Sequence, residues 1–305
     1  MTADQLHYTY EFFGLRVFSS LILPEVTSTL SEETRDADIV RVVEGRVPKE
    51  LPHLRRLSSW MAVGNAICLY SFPGVGRLLI ENGRTITFEI DPDGQYSDIR
   101  TYLLGSGFGT LLHQRKMVPL HISAIKSPKG IVAFTGPSGA GKSTIVSLLN
   151  KMTGWLLMTD DVAVMRPAEE LPVLHAGITR LKLRRDAAEL LNAPSESVSR
   201  DVARYDKFHV HTPEKFTKQS HRLTALFSLE RGSDLALTEI HGAKRLESVL
   251  MSIYRPELIS IFNDNPTIFK KCTLVSNQIT FGKLVRPWNV EGLNSSLNLI
   301  AENFR

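Results

Sequence analysis

Apolar and polar positions follow three regimes along the chain. Up to about residue 95 the apolar residues fall in short runs at Tyr8–Phe13, Ile39–Val43, Ala66–Ser71, Arg77–Ile80 and Thr85–Ile90. Turn formers such as Glu81-Asn82-Gly83 and Asp91-Pro92-Asp93-Gly94 separate them, which predicts strands and a β-rich N-terminal domain over residues 1–97. From Asp98 to Met117 the spacing turns helical, with Ile99, Tyr102, Leu103, Leu111 and Leu112 apolar, and predicts a linker helix over 98–117. The run Gly105-Ser106-Gly107-Phe108-Gly109 inside it has two readings, close packing or bending of that helix and a second phosphate loop. With no strand ahead of it, the first is preferred.

Residues 118–305 read as an α/β domain. Val118–Ile125 and Ile131–Thr135 are strand patterns joined by Ser127-Pro128-Lys129-Gly130, so an antiparallel hairpin is expected, with His121 opposite the residues that follow the second strand. Ile145, Val146, Leu148, Leu149 and Met152 then recur at helical spacing, and Trp155–Thr159 is the next strand. A strand–helix–strand unit in one sheet is expected to be parallel, which brings both strand ends to one edge. Further on, a helix is expected from Asp186 to about Asn192 and a polar excursion over Ala193–Ser220. A strand pair is expected from Leu223–Leu229 and Leu235–Ile240, and helices over Ala243–Leu250 and Val290–Phe304.

Between the second strand and the helix stands Gly136-Pro137-Ser138-Gly139-Ala140-Gly141-Lys142-Ser143-Thr144, which fits Gly-x-x-x-x-Gly-Lys-[Ser/Thr]. The glycines permit positive φ and let successive N–H groups face an anion, Lys142 adds a charge, Ser143 a hydroxyl suited to magnesium, and the following helix its N-terminal N–H groups. The motif has the strand and helix flanks it requires, so the sequence predicts a site for nucleotide phosphates, with ATP and Mg2+ as cofactors.

Asp160-Asp161 ends the Trp155–Thr159 strand on the same edge. In-line phosphoryl transfer needs a cation, a carboxylate and a hydroxyl for magnesium, and a carboxylate that accepts the proton of an incoming alcohol. Adjacent carboxylates can divide that work, although neighbours on a strand point to opposite faces unless a turn begins there. A solvated turn is the plain alternative for the pair. His121 is a weaker candidate, since a histidine on an apolar strand is usually a satisfied core residue and six other histidines compete.

Composition narrows the class. The 305 residues suit two domains, and 43% hydrophobic with 22% charged residues suits a sizeable core. The N-terminal residues lack a signal pattern and no apolar run reaches membrane-span length, so a cytoplasmic protein without a membrane partner is expected. Cys68 and Cys272 lie far apart in apolar stretches, as buried free thiols would. A net charge of +4 and a pI of about 9.0 suit ATP and acidic peptides without the dense basic face of a nucleic-acid binder. Homo-oligomerisation stays open.

Leu120-His121-Ile122-Ser123-Ala124, the glycine-rich loop, and Thr159-Asp160-Asp161, in that order and spacing, resemble the catalytic domain of HPr serine kinase/phosphorylase and its relatives. The resemblance covers residues 118 to about 165 specifically. It implies an α/β P-loop kinase domain of the HPr kinase and phosphoenolpyruvate carboxykinase type, here behind a β-rich N-terminal domain. It also implies roles: Lys142 on the β/γ-phosphates, Ser143 and Asp161 on magnesium, Asp160 as base for a serine hydroxyl, and His121 beside the reacting phosphate. Leu174-His175-Ala176-Gly177-Ile178-Thr179 stands where authentic HPr kinases carry Glu-x-Arg-Gly-x-Gly. With Ile178-Thr179-Arg180-Leu181-Lys182-Leu183, the chain is more similar to a shorter branch whose members phosphorylate the C-terminal serine of lasso-peptide precursors. In that branch Arg204 and Lys207 are candidate phosphate or peptide contacts, and the partner is a peptide or small protein bearing a serine. A kinase of a small hydroxylated metabolite and a nucleotide-gated binding or assembly module are the alternatives.

Overall fold

A computed structural model describes residues 6–26, 38–166, 172–175, 177–191, 198–200 and 207–305. The protein is a mixed α/β chain in two units, one of Met1–Pro119 with Arg255–Ile268 and the other of Leu120–Tyr254 with Phe269–Arg305.

The first unit is built on β1 (Tyr8–Phe12), β2 (Leu15–Ser19), β3 (Ile39–Glu44), β4 (Arg55–Ser58), β5 (Met61–Gly64), β6 (Ile67–Phe72), β7 (Gly76–Glu81) and β8 (Thr85–Ile90). They form one mixed sheet in the order β1-β2-β3-β8-β7-β6-β5-β4, in which β3 pairs parallel with β2 and β8. Alternation is preserved in β7, where Gly76, Leu78 and Ile80 are buried and their neighbours half-buried. The predicted linker helix is α1 (Tyr96–Tyr102), a π-helical turn over Leu103–Gly107, and α2 (Phe108–Gln114). Its glycines are therefore helical and do not form a second phosphate loop. A Cβ at Gly107 would make ordinary contacts with Leu78 at 3.5 Å and Ile86 at 3.6 Å, so this turn packs on the sheet without requiring glycine there.

After β9 (Val118–Leu120), the second unit contains β10 (Ser123–Ser127), β11 (Gly130–Thr135), α3 (Lys142–Thr153), β12 (Leu156–Thr159), β13 (Ala163–Arg166), β14 (Val173–His175) and β15 (Arg180–Arg184). Then come α4 (Arg185–Leu190), β16 (Val198–Arg200), β17 (Lys207–His211), β18 (His221–Arg231), β19 (Ala236–Glu239) and α5 (Ala243–Met251). Beyond α6 (Ile259–Phe262), which belongs to the first unit, follow α7 (Asn265–Ser276), β20 (Thr280–Arg286) and α8 (Val290–Phe304).

β10 and β11 form the expected hairpin, from Ser123 opposite Phe134 to Ser127 opposite Gly130. β12 lies on the other side of β10 and antiparallel to it, so β11 and β12 run the same way with β10 between them. β18 pairs parallel with β11 on one side and with β20 on the other. The carboxyl ends of β11, β12, β18 and β20 consequently share one edge, where parallel sheets place their ligands. The expected pairing of Leu223–Leu229 with Leu235–Ile240 does not form. β20 inserts between β18 and β19, pairing parallel with the first and antiparallel with the second, because β20 is apolar enough to be a central strand.

β11 is buried from Ile131 to Thr135, a continuous apolar run suited to a strand covered on both faces. Val132 and Phe134 join one core with Ile145, Val146 and Leu149 of α3, Leu181 and Leu183 of β15, and Leu293, Leu297 and Ile300 of α8. Each such buried side chain contributes roughly 2 kcal/mol of hydrophobic stabilisation, and together they fix α3 and hence the loop before it. Met152, expected on that face, is 45% exposed, because it lies near the end of α3, which stops at Gly154 with φ 73°.

Cys68 and Cys272 are both free and buried, and burial pushes each thiol up to about 12. Both should therefore resist a thiol reagent at pH 8 in the native protein and react at once in denaturant, which titration with a chromogenic disulfide reads directly.

Candidate active site

β11 delivers the loop and α3 receives it. Gly136, Gly139 and Gly141 have φ of 142°, 88° and 91°, conformations open to glycine at little cost. At Gly139 a Cβ would meet nothing within 4 Å, so backbone conformation alone requires glycine. At Gly141 it would also stand 3.0 Å from Arg286 Nη2. Pro137, Ser138 and Gly139 form the exposed tip, whereas Ala140 is buried and Thr144 half-buried in the first turn of α3. Lys142 lies beneath, 8% exposed, its Nζ donating to the carbonyls of Gly136 at 2.8 Å and Pro137 at 3.3 Å. The first-turn N–H groups and positive end of α3 add to this cationic cradle.

Asp160, 3% exposed, joins three elements. Its Oδ1 accepts from Ser123 Oγ of β10 at 2.5 Å and from Ser143 Oγ of α3 at 2.8 Å, and its Oδ2 accepts from the Lys182 N–H of β15 at 2.7 Å. Asp161 has φ 84°, so the backbone turns at the strand end and the two neighbouring carboxylates need not follow strand alternation. The Asp161 carboxylate accepts from Lys182 Nζ at 2.6 Å and lies 3.3 Å from His121 Nδ1, which is also 3.0 Å from the Asp161 carbonyl. Burial pushes the Asp161 acid upward, but the Lys182 charge and then His121 outweigh it and hold the carboxyl well below its usual range.

His121 follows the last residue of β9, where Leu120 bridges Ile253, and its N–H donates to Ser252 O at 2.6 Å. The hairpin ladder begins only at Ser123 opposite Phe134. Continued by two residues it would set His121 level with Gly136, yet the imidazole is engaged by Asp161. Ser143 is hydrogen-bonded to Asp160, and Asp161 to Lys182. Arg204 lies outside the described residues, and of Lys207 only its strand position opposite Arg184 is described.

Ser123, Lys182 and Arg286 also line the site, and local pattern assigns them no role. Ser123 and Lys182 belong to the motifs Leu120–Ala124 and Ile178–Leu183, but their hydrogen bonds to Asp160 depend on which strands meet. Among the described residues no group of three His, Cys, Asp or Glu side chains could hold a metal ion. A magnesium ion suits the site in another way. It needs only one or two carboxylates when phosphate oxygens and water complete its shell, and Ser143 Oγ beside Asp160 Oδ1 is a donor set of that kind.

No family model matches the chain, and no curated protein matches it. Among solved structures, the Hpr(Ser) kinase/phosphatase from Coxiella burnetii superposes at 12% identity with a TM-score of 0.31, covering 61% of this chain and 95% of that one.

Two outcomes follow from that geometry. Gly141→Ala combines a positive φ with a close contact, so it should lower stability by about 1–2 kcal/mol and more than Gly139→Ala, as denaturant melts of both will show. Lys182→Met removes the charge that keeps Asp161 ionised, so the Asp161 pKa should rise, measured as carboxyl-carbon chemical shift against pH. The sign for folding follows. With its folded-state value depressed, Asp161 contributes stability that is full above its unfolded pKa of about 3.9 and is lost as pH falls through the lower folded value; Lys182→Met should shrink that acid-labile part.

Proposed function

We propose that the chain is an ATP-dependent phosphotransferase whose acceptor is a serine hydroxyl on a peptide or small protein. The observation that carries this is the joining of the glycine loop to Asp160: Ser143, the first hydroxyl after Lys142, is hydrogen-bonded to a buried carboxylate at the neighbouring strand end. That is the arrangement with which P-loop enzymes hold a metal beside nucleotide phosphates. The resemblance in sequence favours a kinase over a simple hydrolase and places the C-terminal serine of a lasso-type precursor first among acceptors.

In this reading the loop N–H groups and the N-terminus of α3 bind the phosphate chain. Lys142 exchanges its two carbonyl partners for β/γ-phosphate oxygens, a gain because a charged donor bonds an anionic oxygen more strongly than a carbonyl. Ser143 and Asp160 would hold magnesium, which neutralises phosphate charge when bound. Asp161 takes the part of the acceptor-facing carboxylate, reversing the roles implied by resemblance. The serine oxygen bonds to the γ-phosphorus as the bond to the β-bridging oxygen breaks, leaving ADP, and the serine proton passes to Asp161. Held ionised by Lys182 and His121, Asp161 is a weak base in the ground state, which suits a loose transition state in which the proton leaves late. His121 orients Asp161 through contacts to both its carbonyl and its carboxylate.

Mass spectrometry with Mg-ATP and a panel of serine-ended precursor peptides, HPr and free serine tests the reading. A gain of one phosphate on a peptide alone is expected, reduced by orders of magnitude in Asp161→Asn with ATP binding kept. Asp160→Asn should instead raise the magnesium concentration needed for transfer, and Lys142→Ala should weaken ATP binding itself. Phosphorylation of serine alone would identify a metabolite kinase, and bound ATP with no transfer to any acceptor would identify a binding module.

A further inference from the structure

Arg286 is the last residue of β20 and reaches the same edge as the glycine loop, because β20, β18 and β11 are parallel. It is 8% exposed. Its Nη1 donates to Pro287 O at 3.1 Å, whereas its Nε is buried and has no hydrogen-bond partner among the described residues. Its Nη2 lies 3.0 Å from the place a Cβ on Gly141 would occupy. Burial pushes its pKa down, with no opposing anionic group among the described residues. A guanidinium taken out of water without a carboxylate is unfavourable in the folded state, and here one of its donors is also left unmade. What the position does supply is a planar fork of N–H donors against the backbone of a phosphate loop, at the one loop glycine whose missing side chain leaves room for it.

We propose that Arg286 is a second cationic ligand of the phosphate chain, donating Nε and Nη2 N–H groups to oxygens of a nucleoside triphosphate seated on the loop. This rests on the nucleotide reading above. It separates the phosphate-binding charges into two kinds. Lys142 is sheltered by loop carbonyls until the nucleotide arrives, whereas Arg286 has an unmade donor that a phosphate oxygen would complete. An arginine suits the place because its fork contacts a phosphate through two parallel hydrogen bonds, which a lysine cannot reproduce.

The test is calorimetric titration of wild type, Arg286→Gln and Arg286→Lys with Mg-ATP and, separately, with adenosine, alongside melting curves. Arg286→Gln should bind Mg-ATP about ten- to hundredfold more weakly, with Arg286→Lys in between and adenosine affinity unchanged. Its melting temperature without nucleotide should be equal to or above that of wild type, while the rise on adding Mg-ATP should shrink. If both variants bind Mg-ATP as wild type does, or if ATP and adenosine weaken alike, the inference is overturned and the nucleotide reading stands. If wild type itself binds no Mg-ATP, both fall. Should Arg286→Gln be too unstable to titrate, Arg286→Lys decides the matter alone, since it keeps charge and bulk and loses only the fork.

Discussion

The buried carboxylate of Asp160 is the point on which the site depends. A carboxylate this deep is tolerable only if its oxygens are satisfied, and its three donors come from β10, α3 and β15. The hydrogen bonds therefore do more than stabilise a charge. They set the height of the phosphate-loop helix against the strand edge and pin the three-stranded sheet of β15, β17 and β16 to the larger sheet's edge. With that done, Asp161 is carried by its left-handed backbone into reach of Lys182 and His121.

Two adjacent carboxylates thus live in different surroundings. Asp160 is surrounded by neutral donors and sealed from water, while Asp161 is partly exposed and flanked by a lysine. Environments that differ in this way can separate the tasks of neighbouring acids. A hydroxyl shared between loop and carboxylate is a ready pair of oxygen donors, whereas the Asp161 carboxylate is already paired with an ammonium group.

The cationic part of the site shows a related contrast. The loop's own backbone carbonyls engage Lys142, so its charge is accommodated before any anion is present. Arg286 lacks that accommodation for one of its donors. A strand terminus buried by its neighbours, beside a glycine that cannot fill the gap, concentrates unmet hydrogen-bonding capacity at one place.

Much of this was legible in the residues. The strand–glycine loop–helix order made the positive φ values of Gly136, Gly139 and Gly141 predictable, because Gly alone takes them cheaply, and the continuous apolar run of β11 announced a central strand. The hairpin of β10 and β11 and the helices α5 and α8 could be read from local spacing. What could not be read were long-range pairings. The insertion of β20 between β18 and β19, the contact of Ser143 with Asp160, and the arrival of Lys182 and Arg286 all depend on which strand lies beside which. Local pattern specifies each element's conformation through steric and hydrophobic terms that act over a few residues. The chemistry of the edge is decided by strand order, since only tertiary packing determines which donors a buried carboxylate meets and which buried cation is left without an anion.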